Sequence, residues 1–446
     1  MRTPISTAVL FALLPFQSPQ ELLDNRRNTP VVEVVERVKP AVVSISTNVP
    51  VVRRDLFGMR YLDEQGEGPS GTGVVIYEDG FIITNFHVIE KATEIQVRFD
   101  PSDDERVYEA KRVSERPKED LALLKIEGEG PFRTVTMCDS DPILGETVIA
   151  IGNAFGHTHT VSSGIVSGLH RNIGTNSGLV FENLIQTDAS INRGNSGGPL
   201  LNVNGELIGI NNAMQDTAEN IGFAIPVAHV RKVLSEQLLD LAAARTWLGF
   251  DVDEETLVIQ NVVPDGTADK AELKPGDRLV GLAGHLLTAP EGDLRDLYRR
   301  LRLSVQPLTK VDLEVQRGKT KKRVELLAWN LVDGILFERL GLGVAQVNIG
   351  PRGGNPFLQV TAVQENGPAG LAGCKIGDIL TTLQRPNQRP RWFQRAEDLA
   401  VAISRLPAGT VVEIQLWRDL DQDQIYFEYD ERSGYLEGLK GPLTLR

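Results

Sequence analysis

The sequence predicts a mainly β protein: a strand-rich N-terminal half suited to a barrel or sandwich, then two tandem copies of a smaller module mixing strands and a helix. Three observations predict it. With 446 residues, the chain is too long for one ordinary domain and suits two to four. From Ala41 to about Pro226, short runs of Val, Ile, Leu and Thr alternate with Gly, Asn, Asp and Pro, a spacing that fits closed or sandwiched antiparallel strands better than βαβ units. Finally, Gly266, Ala268, Ala271, Lys274, Gly276, Asp277 and Leu279 recur 101 residues later as Gly367, Ala369, Ala372, Lys375, Gly377, Asp378 and Leu380.

Composition agrees. Aromatic residues are only 6% of the chain, while 42 glycines and 24 prolines favour turns over long helices. The net charge of −13 excludes nucleic acid as the main partner, because phosphate neutralisation needs a basic face. The basic stretch Arg317 to Arg323 reads as a solvated hairpin. The only cysteines, Cys138 and Cys374, fall in different predicted domains, so both are expected to be small buried residues rather than a disulfide.

Taken in order, Arg2 precedes an apolar run from Ile5 to Phe16, too short to span a bilayer and of signal-peptide length, so residues 1–28 are expected to be a signal peptide and flexible N-terminus. No later segment reaches membrane-spanning length, and export without stable membrane insertion is expected. Thr29-Pro30 reads as a helix start, with Val31, Val34, Val35 and Val38 on one face and Lys39-Pro40 as the stop. Strands are expected at Val42 to Ser46, Gly73 to Tyr77, Phe81 to Thr84 and Thr147 to Ile151. Residues 227–244 carry Val230, Val233, Leu234, Leu238, Leu239 and Leu241 at helical spacing and are expected to form a connecting helix. Each repeat copy is preceded by an apolar strand, Leu257 to Val263 or Leu358 to Val363. The expected domains are therefore 29–244, 245–332 and 333–446.

The segment Gly194-Asn195-Ser196-Gly197-Gly198-Pro199-Leu200 carries the strongest chemical signal. A nucleophilic hydroxyl needs flanking glycines that let the backbone turn tightly and aim N–H groups at a developing oxyanion. The same letters satisfy the strand-to-helix elbow of α/β-hydrolases, but Leu200 to Val203, Asn204-Gly205 and Glu206 to Ile210 spell a β-hairpin where that elbow needs a helix. Upstream lie a strand leading to His87 and an acid, Asp120, leading into a strand. The chain order His, Asp, Ser is that of the double-barrel proteases.

The runs T-N-x-H-V-I at 84–89, D-L-A-L-L-K-I at 120–126 and T-D-A-S-I-N-R-G-N-S-G-G-P-L at 187–200 resemble the HtrA/Deg serine proteases, over roughly residues 30–430. The resemblance implies a chymotrypsin-like double β-barrel protease domain followed by two PDZ domains (α+β, partly open barrels). It makes His87 the general base and then acid, Asp120 its orienting partner, Ser196 the nucleophile, and the N–H groups of Gly194 and Ser196 the oxyanion hole. Six positions before the nucleophile stands Ser190, beside Ile191, where basic-specific relatives of this barrel carry an aspartate, so cleavage after Lys or Arg is not expected; the resemblance implies small aliphatic residues in the primary pocket instead. Asp188 is read as structural. Arg171 falls where such proteases carry a sensor loop.

PDZ domains add an extended peptide as a strand and capture its terminal carboxylate in a Gly-containing turn. Leu248, Gly249 and Phe250, after Trp247, fit that role in the first copy; Gly341 and Leu342, after Leu340, are the matching residues of the second, set off by about nine extra residues around Asn348 to Pro356. Glu272 stands where the second copy has Gly373. His157 and His159 lack a third ligand nearby, so no metal site and no cofactor is expected. The segment Arg53 to Pro69 is read as a loop, short for a region that can be long and regulatory in the proteases it resembles, so weaker loop-mediated locking of the inactive state is expected. The expected partners are unfolded proteins and peptide C-termini, and the expected place is the periplasm; the resemblance alone implies a homotrimer or larger homo-oligomer. A chaperone-like or peptide-sensing scaffold with little proteolysis is the competing reading.

Overall fold

The computed structural model describes residues 27–54, 60–152, 159–174, 180–192, 194–212, 221–288, 294–349, 355–384, 389–407, 409–418 and 439–444, with side chains of 51–65 and 439–444 left aside. The expected signal segment lies outside these. The chain divides into two compact units, Met1–Leu238 and Leu239–Arg446.

The first unit begins with α1 (Pro30–Val38), whose N-cap Thr29 accepts a hydrogen bond from the Val32 amide and whose proline at the first turn lacks an N–H that would have no partner there. Two closed barrels of six strands follow. The first joins β1 (Val42–Arg54), β2 (Arg60–Tyr77), β3 (Phe81–Thr84), β4 (Glu94–Arg98), β5 (Val107–Arg116) and β6 (Leu121–Ile126), with the short helix α2 (Phe86–Ile89) between β3 and β4. The second joins β7 (Thr147–Gly152), β8 (Thr160–Gly174), β9 (Val180–Thr187), β10 (Pro199–Leu201), β11 (Leu207–Asn212) and β12 (Gly222–Pro226). Closure leaves neither sheet an open edge. Alternate residues Val43, Ile45, Ile82 and Leu124 fill the first barrel, with Phe99, Tyr108 and Phe132 packed as an aromatic trio at one end.

Two expectations of this unit are corrected. The segment read as a loop from Arg53 to Pro69 is largely ladder: β1 and β2 stay paired as far as Arg54 opposite Arg60. The connecting helix is not continuous over 227–244 either. It runs as α3 (Val227–Val233), loosens into a π-helical turn at Leu234–Leu238, and stops at Asp240, whose carboxylate caps a separate 3-10 turn at Leu241–Ala243.

The histidine considered as a metal ligand is instead a strut between the barrels. His159 Nδ1 lies 2.9 Å from Asp100 Oδ2 and Nε2 lies 3.2 Å from the Val42 carbonyl. Burial alone would raise the Asp100 carboxyl, but hydrogen bonds from the Ser102 side chain and amide and from His159 outweigh it and hold it well below the usual carboxylate range. Its partner in that motif, His157, lies outside the described residues.

The second unit contains the repeat. Its first copy has β13 (Thr246–Trp247), β14 (Phe250–Val252), β15 (Ile259–Val262), α4 (Thr267–Lys270), β16 (Arg278–Leu282), β17 (His285–Leu286), α5 (Leu294–Ser304), β18 (Lys310–Arg317) and β19 (Thr320–Leu327). After β20 (Trp329–Asn330) and α6 (Leu331–Leu340) the second has β21 (Leu342–Ile349), β22 (Asn355–Val363), α7 (Pro368–Leu371), β23 (Ile379–Gln384), β24 (Arg391–Trp392), α8 (Ala396–Ser404), β25 (Val411–Trp417) and β26 (Leu439–Thr444). The extra residues of the second copy lengthen the β21–β22 ladder, which extends to Ile349 opposite Asn355. Each copy holds its own apolar core. Between them Phe337 stands edge to face with both Trp247 and Trp329, whose own rings are tilted by 32°, and Gly334 is required there, since a Cβ would stand 2.1 Å from Trp247 Cγ.

Candidate active site

His87 and Asp120 meet at the mouth of the first barrel. β3 delivers His87 onto the single turn of α2, and Asp120 sits at the start of β6, the neighbour of β3 in the ladder. Asp120 adopts φ +49, a left-handed conformation costing about 1 kcal/mol for a residue with a Cβ, and such strain concentrates at functional sites. Local hydrogen bonds hold it: its carbonyl accepts from the Phe86 amide and from Asn85 Nδ2. Its carboxylate is nearly sealed, accepting the His87 amide on Oδ1 at 3.0 Å and His87 Nδ1 on Oδ2 at 2.8 Å. With Nδ1 so engaged, Nε2 is the nitrogen left for chemistry, and the imidazole is 43% exposed against 7% for Asp120.

Ser196 comes from the second barrel, in the turn that leads into β10. Gly194 adopts φ +119 and Gly197 φ +82, conformations open to glycine, so the run Gly-Asn-Ser-Gly-Gly is dictated by backbone shape. The turn is clamped onto the first barrel, where the Thr72 amide donates to the Ser196 carbonyl at 2.9 Å and Thr72 Oγ1 donates to the Gly194 carbonyl. A Cβ on Gly197 would stand 2.2 Å from Thr84 Oγ1 and 3.1 Å from the Asn85 amide, so the serine turn abuts the segment that carries His87. The His–Asp pair of one barrel and the serine turn of the other thus meet at the barrels' junction.

Asn212, which sequence reasoning missed, completes the acid's surroundings: its Nδ2 donates to Asp120 Oδ2 at 2.9 Å, and both residues are buried. The available signal was a pair of asparagines, Asn211 and Asn212, ending an otherwise apolar buried strand. Thr72 was missed likewise.

In the pocket segment, the Ser190 carbonyl accepts from Ser162 Oγ and Asn195 Nδ2, and Ile191 packs on Gly222, where a Cβ would come within 2.5 Å of Ile191 Cγ1. Asp188 accepts the Ile165 amide and so ties the end of β9 to β8. Arg171 lies in β8 and donates from Nε to Gln186 on β9 at 3.0 Å.

The two glycine turns of the repeats differ. Gly249 (φ +78) follows the extended β13, and among the described residues none accepts from the amides of Leu248 or Gly249. Arg302, from the last turn of α5, reaches the adjoining Thr246 hydroxyl at 3.0 Å. In the second copy Leu340 is the last residue of α6, and the Gly341 amide caps that helix by donating to the Phe337 carbonyl at 2.9 Å, before β21 starts at Leu342. Among the described residues no group of three or more His, Cys, Asp or Glu could hold a metal, and no helix is long and apolar enough to cross a membrane. Cys138 and Cys374 are both free and buried, and burial pushes the Cys374 thiol up to about 11.

Two antiparallel barrels with a His–Asp pair on one and a glycine-flanked serine on the other define a trypsin-like serine endopeptidase, and the trypsin-like peptidase domain family matches residues 71–210. A probable periplasmic serine endoprotease DegP-like of Ectopseudomonas mendocina is 32% identical over 89% of this chain and 93% of its own length. The periplasmic pH-dependent serine endoprotease DegQ of Escherichia coli is 31% identical over 82% of this chain and 86% of its own. Among solved structures, a serine endoprotease from Yersinia pestis is 31% identical, covering 68% of this chain and 99% of that one, at a TM-score of 0.38. The chain belongs to the HtrA/Deg family of serine endoproteases.

Proposed function

We propose that Ser196 Oγ attacks the scissile carbonyl of unfolded or misfolded polypeptides while His87 Nε2 takes its proton. Asp120 holds the imidazole in the tautomer with Nδ1–H and stabilises the imidazolium. The Gly194 and Ser196 amides receive the oxyanion of the tetrahedral intermediate, an interaction worth about 3–4 kcal/mol per donor in such sites. His87 then passes the proton to the leaving amine, and a water activated by the same nitrogen releases the acyl group. The 2.8 Å contact between His87 Nδ1 and Asp120 Oδ2 is the observation that carries this reading. Ser190 and Ile191 shape a primary pocket for small aliphatic side chains, and the periplasm is the place of action, as in the names of the relatives.

Residues 245–332 and 333–446 act as PDZ domains. The uncommitted amides of Leu248 and Gly249, beside Arg302, favour the first as the receptor for a peptide C-terminus, with Phe250 opening the strand that the peptide extends. Gly341 and Leu342 are poorly suited to that role because the Gly341 amide is spent on helix α6. Arg171 serves as the sensor-loop arginine, and the active assembly is a homotrimer or larger. Digestion of a reduced, unfolded protein with cleavage sites read by mass spectrometry tests the reading: cuts after small aliphatic residues, absent from Ser196→Ala, are expected. Protection of an aggregating client with no cuts by the native chain would favour the scaffold reading.

A further inference from the structure

The second PDZ module carries a cavity of about 380 Å³ that uses neither β21 nor the Gly341 turn. It lies between α8 and the β23–β24 region, floored by Leu383 and Phe393 and rimmed by Arg389, Arg391 and Arg405, with Asp398 as the one acid. Asp398, Ala402 and Arg405 fall on one stripe of α8, apart from Leu399 and Ile403, which enter the core.

Three features make this arrangement more than a solvated charged face. Among the described residues none of the three guanidiniums has a carboxylate partner, so the rim carries a surplus of two positive charges (three arginines against one aspartate) in a chain of net charge −13. Arg391 lies over the Phe393 ring with its Cζ 5.0 Å from the centroid, a contact that holds the guanidinium at the pocket and spends none of its N–H groups. The cavity also presents apolar surface to solvent, since Val401, in its lining, is 49% exposed.

We propose that this pocket is a second peptide site, which takes an acidic, apolar segment within an extended polypeptide: an aliphatic or aromatic side chain on the Leu383–Phe393 floor, and a neighbouring Asp or Glu on the arginines. The proposal rests on the protease reading for the class of ligand, polypeptide, and goes beyond it in assigning a site. A peptide fits better than a membrane surface. β24 pairs only with β23 among the described strands, so its outer edge is open to an extended backbone beside the pocket. Asp398 and the acidic surface of the chain oppose a lipid bilayer of like charge.

The test uses the full chain carrying Ser196→Ala and a fluorescein-labelled decapeptide of alternating Leu, Phe, Asp and Glu with an amidated C-terminus, followed by fluorescence anisotropy. Saturable binding is expected, weakened about tenfold or more by Arg405→Glu and by changing the peptide acids to Asn and Gln, and weakened less by Arg405→Lys. An unchanged melting curve shows that Arg405→Glu folds. Equal affinity in Arg405→Glu, loss of binding on amidation of the peptide, or binding of phosphatidylglycerol vesicles in place of the peptide would each overturn the proposal. Failure of the protease reading shows separately, as absence of cleavage by the chain that retains Ser196.

Discussion

Asn212 donates its side-chain amide to the same carboxylate oxygen of Asp120 that accepts from His87 Nδ1, so one oxygen fixes the acid, the imidazole and the end of β11 together. The reverse amide orientation would set two acceptors face to face, so Nδ2 must point to the carboxylate. A hydrogen bond to a charged group contributes about 1.5–3 kcal/mol, so Asn212→Leu is expected to lower kcat about 10- to 100-fold with KM nearly unchanged. Steady-state kinetics on a peptide substrate checks this; unaltered kcat would remove Asn212 from the site.

The repeated Gly-Asp dipeptide has its explanation in a repeated ion pair. Arg317 Nε and Nη2 each stand 2.7 Å from Asp277, and Arg418 makes the same fork on Asp378 with both distances within 2.8 Å. Each arginine also reaches a carbonyl at equivalent positions, Glu272 and Gly373. Arg317→Ala strands the buried Asp277 carboxylate and is expected to cost about 2–3 kcal/mol, below the 3–5 of a fully buried pair because Arg317 is 39% exposed. Chemical denaturation with tryptophan fluorescence measures it.

That pair also sets a pH dependence. Arg317 is the main cause that holds the Asp277 carboxyl below its ordinary value of 3.8, with burial opposing. A depressed folded-state pKa gives stability that is fully present above the unfolded value and lost as pH falls through the folded one. Between pH 6 and about 3 the native chain should therefore lose more stability than Asp277→Asn does, and parallel curves in a denaturant series would count against the pair.

Glu272 has an account that its sequence position alone could not supply. It adopts φ +58 where Gly373 adopts φ +83, and its exposed carboxylate pairs with Lys322 Nζ at 2.6 Å. Left-handed strain of about 1 kcal/mol outweighs an exposed ion pair of a few tenths. Glu272→Gly is expected to stabilise the first repeat by about 0.5 kcal/mol, read as a raised denaturation midpoint; a lowered midpoint would show the ion pair dominating.

The triad order, the hairpin after Ser196 and the repeat were legible because each is written locally: glycines where φ must be positive, alternation where strands are half buried, and a Gly-Asp pair wherever the fork on Arg317 or Arg418 recurs. What escaped the sequence is set by distant partners. Asn212 meets Asp120 across 92 positions, His159 reaches Asp100 and Val42 across 59 and 117, and the fate of the Gly341 amide depends on whether a helix or a strand precedes it. The long pairing of β1 with β2 was hidden by Gly, Glu and Pro residues that read as loop.

The central claim is that Ser196 is a nucleophile activated by His87. Treating the chain with a fluorophosphonate and mapping the adduct by mass spectrometry tests it most directly. The account predicts one phosphonylated residue, Ser196, with a labelling rate that falls about a thousandfold in His87→Ala. Labelling of another residue, or an equal rate in His87→Ala, would contradict it.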